Sequence, residues 1–260
     1  MGFSFARICD YYFARFLAYS QPVAARSSDR LTDYPRPSVA VDIAVLTVQS
    51  GGLQVVVQHD ASGRAALPGR FVRERRTVEE TVREVLELKL GLSPDHIRPH
   101  LLAVFSDPDR DPRGWTISIA HAVAIPAGDL TDVVGELVPV TPDGRLASGE
   151  RLLYDHDHII AAATDSLRDR YEDKPDPDNL LRPPYTLSEL RELHEAILGR
   201  KLMRDSFNRR VQPLLAPQVD AAGTPVTRAA GGRPARLFAK DVPPTATFGW
   251  RLPSVDETAG

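Results

Sequence analysis

The run SVAVDIAVLTVQSGGLQVVVQH, residues 38 to 59, constrains the chain most, because two stretches rich in β-branched and aliphatic residues flank a glycine turn. Such a pair reads as a β-hairpin. The apolar period then changes. In LPGRFVRERRTVEETVREVLELKLGL, residues 67 to 92, a loop leads into a helical pattern. LLAVF (101 to 105) and WTISIAHAVAI (115 to 125) return to strand composition, the second alternating at Trp115, Ile117 and Ile119. Strands around a helix imply a mixed α/β domain that ends near residue 146.

Residues 152 to 173 carry apolar side chains at Leu153, Ile160, Ala163, Leu167 and Tyr171, the spacing of one long helix that the prolines of KPDPD stop. Its Asp155-His156-Asp157-His158 cluster suggests metal. Neighbouring helical residues diverge, however, so capping and solvent-facing polarity are the expected roles. After Pro183-Pro184, Thr186 can cap a helix with Leu187, Leu190, Leu193 and Ile197 on one face, and Gly199 ends it. Asp205 can cap a second, shorter helix in which Phe207 and Val211 face inward while Asn208, Arg209 and Arg210 face out, with Pro213 near its end. VTR and ARLFAK, separated by AAGGRP, then form a hairpin with a basic tip. Two helices joined by a tight turn and followed by a basic hairpin make a winged helix-turn-helix pattern. Arginine and asparagine can read guanine and adenine, and wing arginines suit phosphates or the minor groove. The candidate DNA-binding residues are Thr186, Ser188, Arg204, Ser206, Asn208, Arg209, Arg210, Arg233 and Arg236.

Charge supports that reading. The net charge is -3, but residues 1 to 185 carry 21 basic against 27 acidic side chains, whereas residues 186 to 240 carry 10 against 5. A basic block in an acidic protein is an electrostatic footprint for nucleic acid. Cys9 is the only cysteine, which excludes a disulfide framework or cysteine zinc cluster and suits a reducing cytoplasm. No stretch is apolar enough to span a membrane, and Arg7, Asp10 and Arg15 interrupt the aromatic-rich start, so it does not read as a secretion signal. Phe5, Ile8, Tyr12, Phe16 and Tyr19 fall at helical spacing. Residues 1 to 20 therefore read either as an amphipathic helix that docks on the body or a second subunit, or as a disordered leader.

Taken as a set, these residues resemble a known family. LPGRFVRERRTVEETVREVLELKLGL is similar to a Nudix box with its surroundings, and SDPDRDPRGWTISIAH is similar to the loop and strand that follow it in ADP-ribose-binding Nudix proteins. With the winged helix, the chain resembles the Nudix-related transcriptional regulators, the NrtR family, over residues 38 to 240. The resemblance implies an α/β fold: a Nudix-like mixed α/β sandwich followed by a C-terminal winged helix-turn-helix domain. The expected divisions are an N-terminal extension (1–37), an effector-binding domain (38–146), a linker helix (147–182), a DNA-binding domain (183–240) and a polar tail (241–260).

The Nudix pattern G-x5-E-x7-R-E-U-x-E-E-x-G-U uses its glutamates to hold magnesium or manganese against a diphosphate. An ungapped alignment instead puts Arg70 and Arg76 at the first G and E, Glu84 and Val85 at R-E, and Leu88 and Lys89 at E-E. A shifted register retains Glu84 and Glu87 but needs an inserted residue before Gly91. Both are short of acids. The helix is therefore expected to be a scaffold with no catalytic residues, no metal and no required cofactor. By resemblance, ADP-ribose or a related nucleotide is the effector of a cytoplasmic homodimer, with no membrane partner. That dimer binds palindromic double-stranded DNA and represses NAD-related genes. Arg70, Arg110, Asp111 and Arg113 are the expected effector-binding residues, because arginine forks match phosphate oxygens. The alternative is a Nudix hydrolase cleaving a nucleoside diphosphate derivative such as ADP-ribose.

Overall fold

A computed structural model describes residues 30–229 and 234–240. The chain divides at Arg36/Pro37. Before the division, Leu31–Asp33 form one 3-10 turn. The helix considered for residues 1 to 20 lies outside the described residues.

From Pro37 onward, the predicted hairpin is β1 (Ser38–Gln49) and β2 (Gly52–His59), antiparallel with Gln49 opposite Gly52. Ser50 and Gly51 both have positive φ, 53° and 76°, the primed turn whose twist matches the strands. Short strands β3 (Ala65–Ala66) and β4 (Gly69–Phe71) follow. Next come α1 (Val78–Glu84), β5 (His100–Phe105), β6 (Thr116–Ala124) and β7 (Glu136–Pro139). The sheet runs β3-β2-β1-β6-β5, with β4 on β1 and β7 on β2. β1 and β6 are parallel, from Ser38 opposite Thr116 to Leu46 opposite Ala124.

Central β1 is buried on both faces, as a helix on each side requires. Ala44 and Leu46 lie in one apolar cluster with Ile159, Ile160, Ala163 and Leu167 of α2 (His156–Tyr171). Val41, Ile43 and Val45 lie in another with Val82 of α1 and Val85 and Leu86 of the turn after it. This is the expected mixed sandwich. The alternation read in β6 was real but its sense was reversed: Thr116, Ser118 and Ala120 are buried, whereas Trp115 is exposed and Ile117 and Ile119 are half-buried. Of the inward-turned polar residues, Ser118 donates to buried Asp42 and Thr116 to the Gly114 carbonyl.

Thr77 and Glu80 form a capping box at the start of α1. The helix widens into a π-turn over Val85–Lys89. A π-turn accommodates one extra residue, so the insertion in the shifted register has a structural counterpart. Helix α2 begins four residues later than expected, leaving the buried Leu152 and Leu153 in a preceding turn.

Helix α3 (Leu187–Leu198) has Thr186 as its cap and Gly199, at φ 66°, as its left-handed end. Helix α4 (Arg204–Val211) starts at Met203, so Asp205 is not the cap: it lies in the first turn, where its charge meets the helix dipole. Pro213 follows in a 3-10 turn. Of the expected wing hairpin, β9 (Thr227–Arg228) pairs with β10 (Ala235–Arg236), whereas the end of ARLFAK forms β11 (Phe238–Lys240) and pairs instead with β8 (Leu215–Pro217). The hairpin's basic tip lies outside the described residues.

Phe207 and Val211 of α4 belong to the same cluster as Leu46 and α2. The rings of Tyr171, His194 and Phe207 meet edge to face at 5.1 and 5.3 Å, linking α2, α3 and α4. Burial pushes His194 down to about 3, so it is a neutral core residue.

Candidate functional site

A cavity of about 540 Å³ opens among β1, β4, the Asp111–Arg113 loop and the start of α2. At its floor Asp42 is buried and accepts from Ser118 Oγ at 2.6 Å, with Arg110 and the His156 Nε2 each at 3.5 Å. The Leu67 amide donates to His156 Nδ1 at 2.9 Å, which leaves Nε2 as the ring nitrogen facing Asp42. Burial disfavours the Asp42 charge, but His156, Ser118 and Arg110 together hold the carboxyl below its usual range. Gly69 is required here: a Cβ would lie 2.0 Å from Asp42 Oδ1.

The expected effector residues separate into different roles. Arg110 has a side chain only 2% exposed; its Nε and NH2 donate to Asp155 at 3.0 and 2.6 Å, with Asp42 beside it. Arg110 lines the cavity, but two carboxylates already occupy its guanidinium, so its contacts in the fold are structural. Asp111 is likewise buried and holds Arg113 through a fork of 2.9 and 2.7 Å. The hydrogen bond from Arg113 keeps Asp111 below the carboxylate range. Arg113 itself is exposed, its guanidinium 4.6 Å from the Tyr154 ring centroid and 5.4 Å from that of Phe71. Arg70 lines the cavity but pairs with Glu84 at 3.1 Å. Among the described residues, the cavity-lining cations without an ion pair are Arg73 and Lys89. The sequence reading selected neither.

The Asp155 and His156 expectation also needs correction, because both turn into the protein, one onto Arg110 and the other onto Asp42. Only Asp157, paired with Arg151, and exposed His158 keep the polar surface role. A signal existed for Asp42, an acid inside an aliphatic strand. None existed for Tyr154, whose φ of 59° depends on its surroundings and costs roughly 1–3 kcal/mol.

The family's divalent ion does not fit this donor set. Val85 is buried, Leu88 is exposed, and Lys89 is a cation. Glu84 is engaged by Arg70 and by Arg76 at 4.0 Å, and Glu87 does not line the cavity. Hard divalent ions need several oxygen ligands, and no cluster of three His, Cys, Asp or Glu residues able to hold one occurs among the described residues.

A second cavity, about 780 Å³, lies between the start of α3, α4 and the wing. Arg204 and Asn208 of α4 and Gln212, which caps its end, reach it from one side, spaced four apart as a helix face demands. Arg191 and Thr227 complete its polar lining with Thr186, Ser188 and Arg236. Thr186 Oγ1 already accepts the Glu189 amide as the cap, and Ser188 donates to Glu192 at 3.0 Å. Arg228 ties the wing to α3, donating to Glu189 at 2.5 Å and to the Pro184 carbonyl at 3.0 Å. Ser206, Arg209 and Arg210 do not line the groove. Arg210 is partly desolvated, which lowers its affinity for a proton, with Arg209 adding repulsion. Arg233 lies outside the described residues.

Residues 177–239 match the family model described as the NrtR DNA-binding winged helix domain. The ADPR responsive transcriptional repressor NtrR of Acinetobacter baylyi is 27% identical over 233 residues, 85% of this chain and 88% of that protein. The crystal structure of Shewanella oneidensis NrtR complexed with a 27mer DNA has a TM-score of 0.64 at 27% identity, covering 83% of this chain and 99% of that one. Residues 177–239 carry an NrtR-type winged helix, and the chain resembles NrtR proteins over most of its length. The ADP-ribose pyrophosphatase of Methanocaldococcus jannaschii is 35% identical over 128 residues, 49% of this chain and 73% of that enzyme. Among the described residues no helix is long and apolar enough to cross a membrane.

Proposed function

We propose that this chain is a DNA-binding transcriptional repressor whose Nudix-like region senses an ADP-ribose-type nucleotide without hydrolysing it. The observation that carries the reading is the pairing of two sites in one chain. One is a cavity with Arg73 and Lys89 free to meet phosphate and, among the described residues, no group of three His, Cys, Asp or Glu side chains placed to hold a metal; the other is a groove presenting Arg204, Asn208 and Arg236. The Acinetobacter relative, named for its response to ADPR, supports the effector class. In this reading residues 38–146 sense, 147–182 link and 183–240 read DNA. The protein works in the cytoplasm as a homodimer on a palindromic operator of NAD-related genes, with half-sites about one helical turn or a multiple apart. No divalent ion is needed, because lysine and arginine supply the positive charge that a metal otherwise brings to a diphosphate.

The test is fluorescence anisotropy of operator-length duplexes with and without ADP-ribose in EDTA. ADP-ribose should weaken DNA binding, and DNA must weaken ADP-ribose binding by the same factor. Sequence-indifferent binding, or release only when magnesium is present, would contradict the reading. The pyrophosphatase similarity favours a second reading, hydrolysis of ADP-ribose. Turnover with magnesium or manganese that disappears in Glu84→Gln or Glu87→Gln would establish that alternative.

A further inference from the structure

We infer that the outer edge of β5 is the surface on which a second copy of this chain docks, the two β5 strands running antiparallel about a twofold axis between Leu102 and Ala103. The inference rests on the homodimer of the reading above and names its interface. β5 ends the sheet path β3-β2-β1-β6-β5, so its far side pairs with no other strand among the described residues. The pairing of β5 with β6 slips between Leu101 and Ala103, and the slip sorts the side chains. Leu102 and Phe105 pack on the apolar cluster that includes α2. Leu101 and Val104, opposite His121 and Ile119, are instead 59% and 56% exposed. Half-buried Ile117 and Ile119 and exposed Trp115 continue the apolar surface along β6.

Edge strands ordinarily carry lysine, proline or another charge against unwanted pairing. None stands between Leu101 and Phe105. What singles out a second copy is that the segment complements its own reverse. About the proposed axis, Leu101 of one copy meets Val104 of the other, and the contact occurs twice. Arg98 stands two residues before β5 and Asp107 two after it, so the same axis brings each arginine to the aspartate of the other copy. Both are exposed: Arg98 donates to the Pro94 and Ile97 carbonyls at 3.3 and 3.1 Å, and Asp107 accepts the Asp109 amide at 2.9 Å. Neither joins an ion pair among the described residues. An apolar centre closed at both ends by opposite charges is the composition of a specific interface, and the charges fix its antiparallel sense.

Sedimentation equilibrium of the full chain measures dimerisation, with thermal unfolding as the check on folding. Leu101→Arg sets a charge against apolar side chains at two symmetric places and should weaken the dimer by about a hundredfold or more. Arg98→Asp opposes Asp107 with a like charge at both ends and should weaken it by about tenfold. Combining Arg98→Asp with Asp107→Arg exchanges the charges and should return the dimer to within about threefold of wild type. That recovery is what a merely local effect of either substitution would not produce. Should Leu101→Arg fail to fold, the charge exchange still decides the matter. A wild-type dimer that neither Leu101→Arg nor Arg98→Asp weakens removes the β5 interface alone, as does a double variant no tighter than Arg98→Asp. A wild type that stays monomeric at every concentration reached removes the homodimer reading and the interface together.

Discussion

Arg110→Met should destabilise the fold rather than remove a phosphate contact. The guanidinium is 2% exposed between Asp155, at 2.6 Å, and Asp42, at 3.5 Å, whose side chains are 12% and 8% exposed. Removing one partner of so buried a set leaves carboxylates without their counter-charge, at a cost of roughly 3–5 kcal/mol. For a unit of this size that lowers Tm by about 6–20 °C. Asp42 lies below its usual range in the fold, so it contributes stability above its unfolded value of about 3.9. That contribution is lost as pH falls through the lower folded value. Without Arg110, burial meets less opposition, and acid unfolding should begin at higher pH. Adding Asp155→Leu should recover part of the loss, because it removes one of the stranded charges. The assays are thermal and urea unfolding across pH, alongside calorimetry with saturating ADP-ribose. An Arg110→Met protein that melts within about 2 °C of wild type yet no longer binds nucleotide would refute the structural role.

In DNA binding, Asn208→Ala and Arg204→Ala should each cost about 1–3 kcal/mol on the preferred duplex and relax selectivity at one position, measured by anisotropy against scrambled duplexes. Arg236→Ala should weaken all duplexes alike and reduce the salt slope by about one, whereas Arg210→Ala should alter neither. Gly69→Ala should abolish nucleotide binding, since its Cβ would collide with Asp42; unchanged affinity in a titration would mean that the floor yields. Thr186→Ala should lose about 0.5–2 kcal/mol in urea unfolding through the α3 cap, with sequence preference on DNA retained.

Local chemistry made most of the architecture legible in the sequence. The Ser50-Gly51 turn, the α3 capping box, Gly199 and the apolar spacings of α2 and α3 each act within a few residues, so their spacing predicts their structure. The incomplete acid set of the Nudix helix was visible on the same terms. Tertiary contacts decided the roles at the cavity. Arg110 reads as a phosphate ligand until the fold brings Asp42 and Asp155, 68 and 45 positions away in the chain, onto its guanidinium. Asp155 and His156 read as surface polarity until α2 turns them inward. Arg73 and Lys89 are ordinary surface cations by sequence; the folded cavity leaves them without a partner and facing the same space. Charge in a sequence counts the ions present, but burial and neighbours determine which remain available to a ligand.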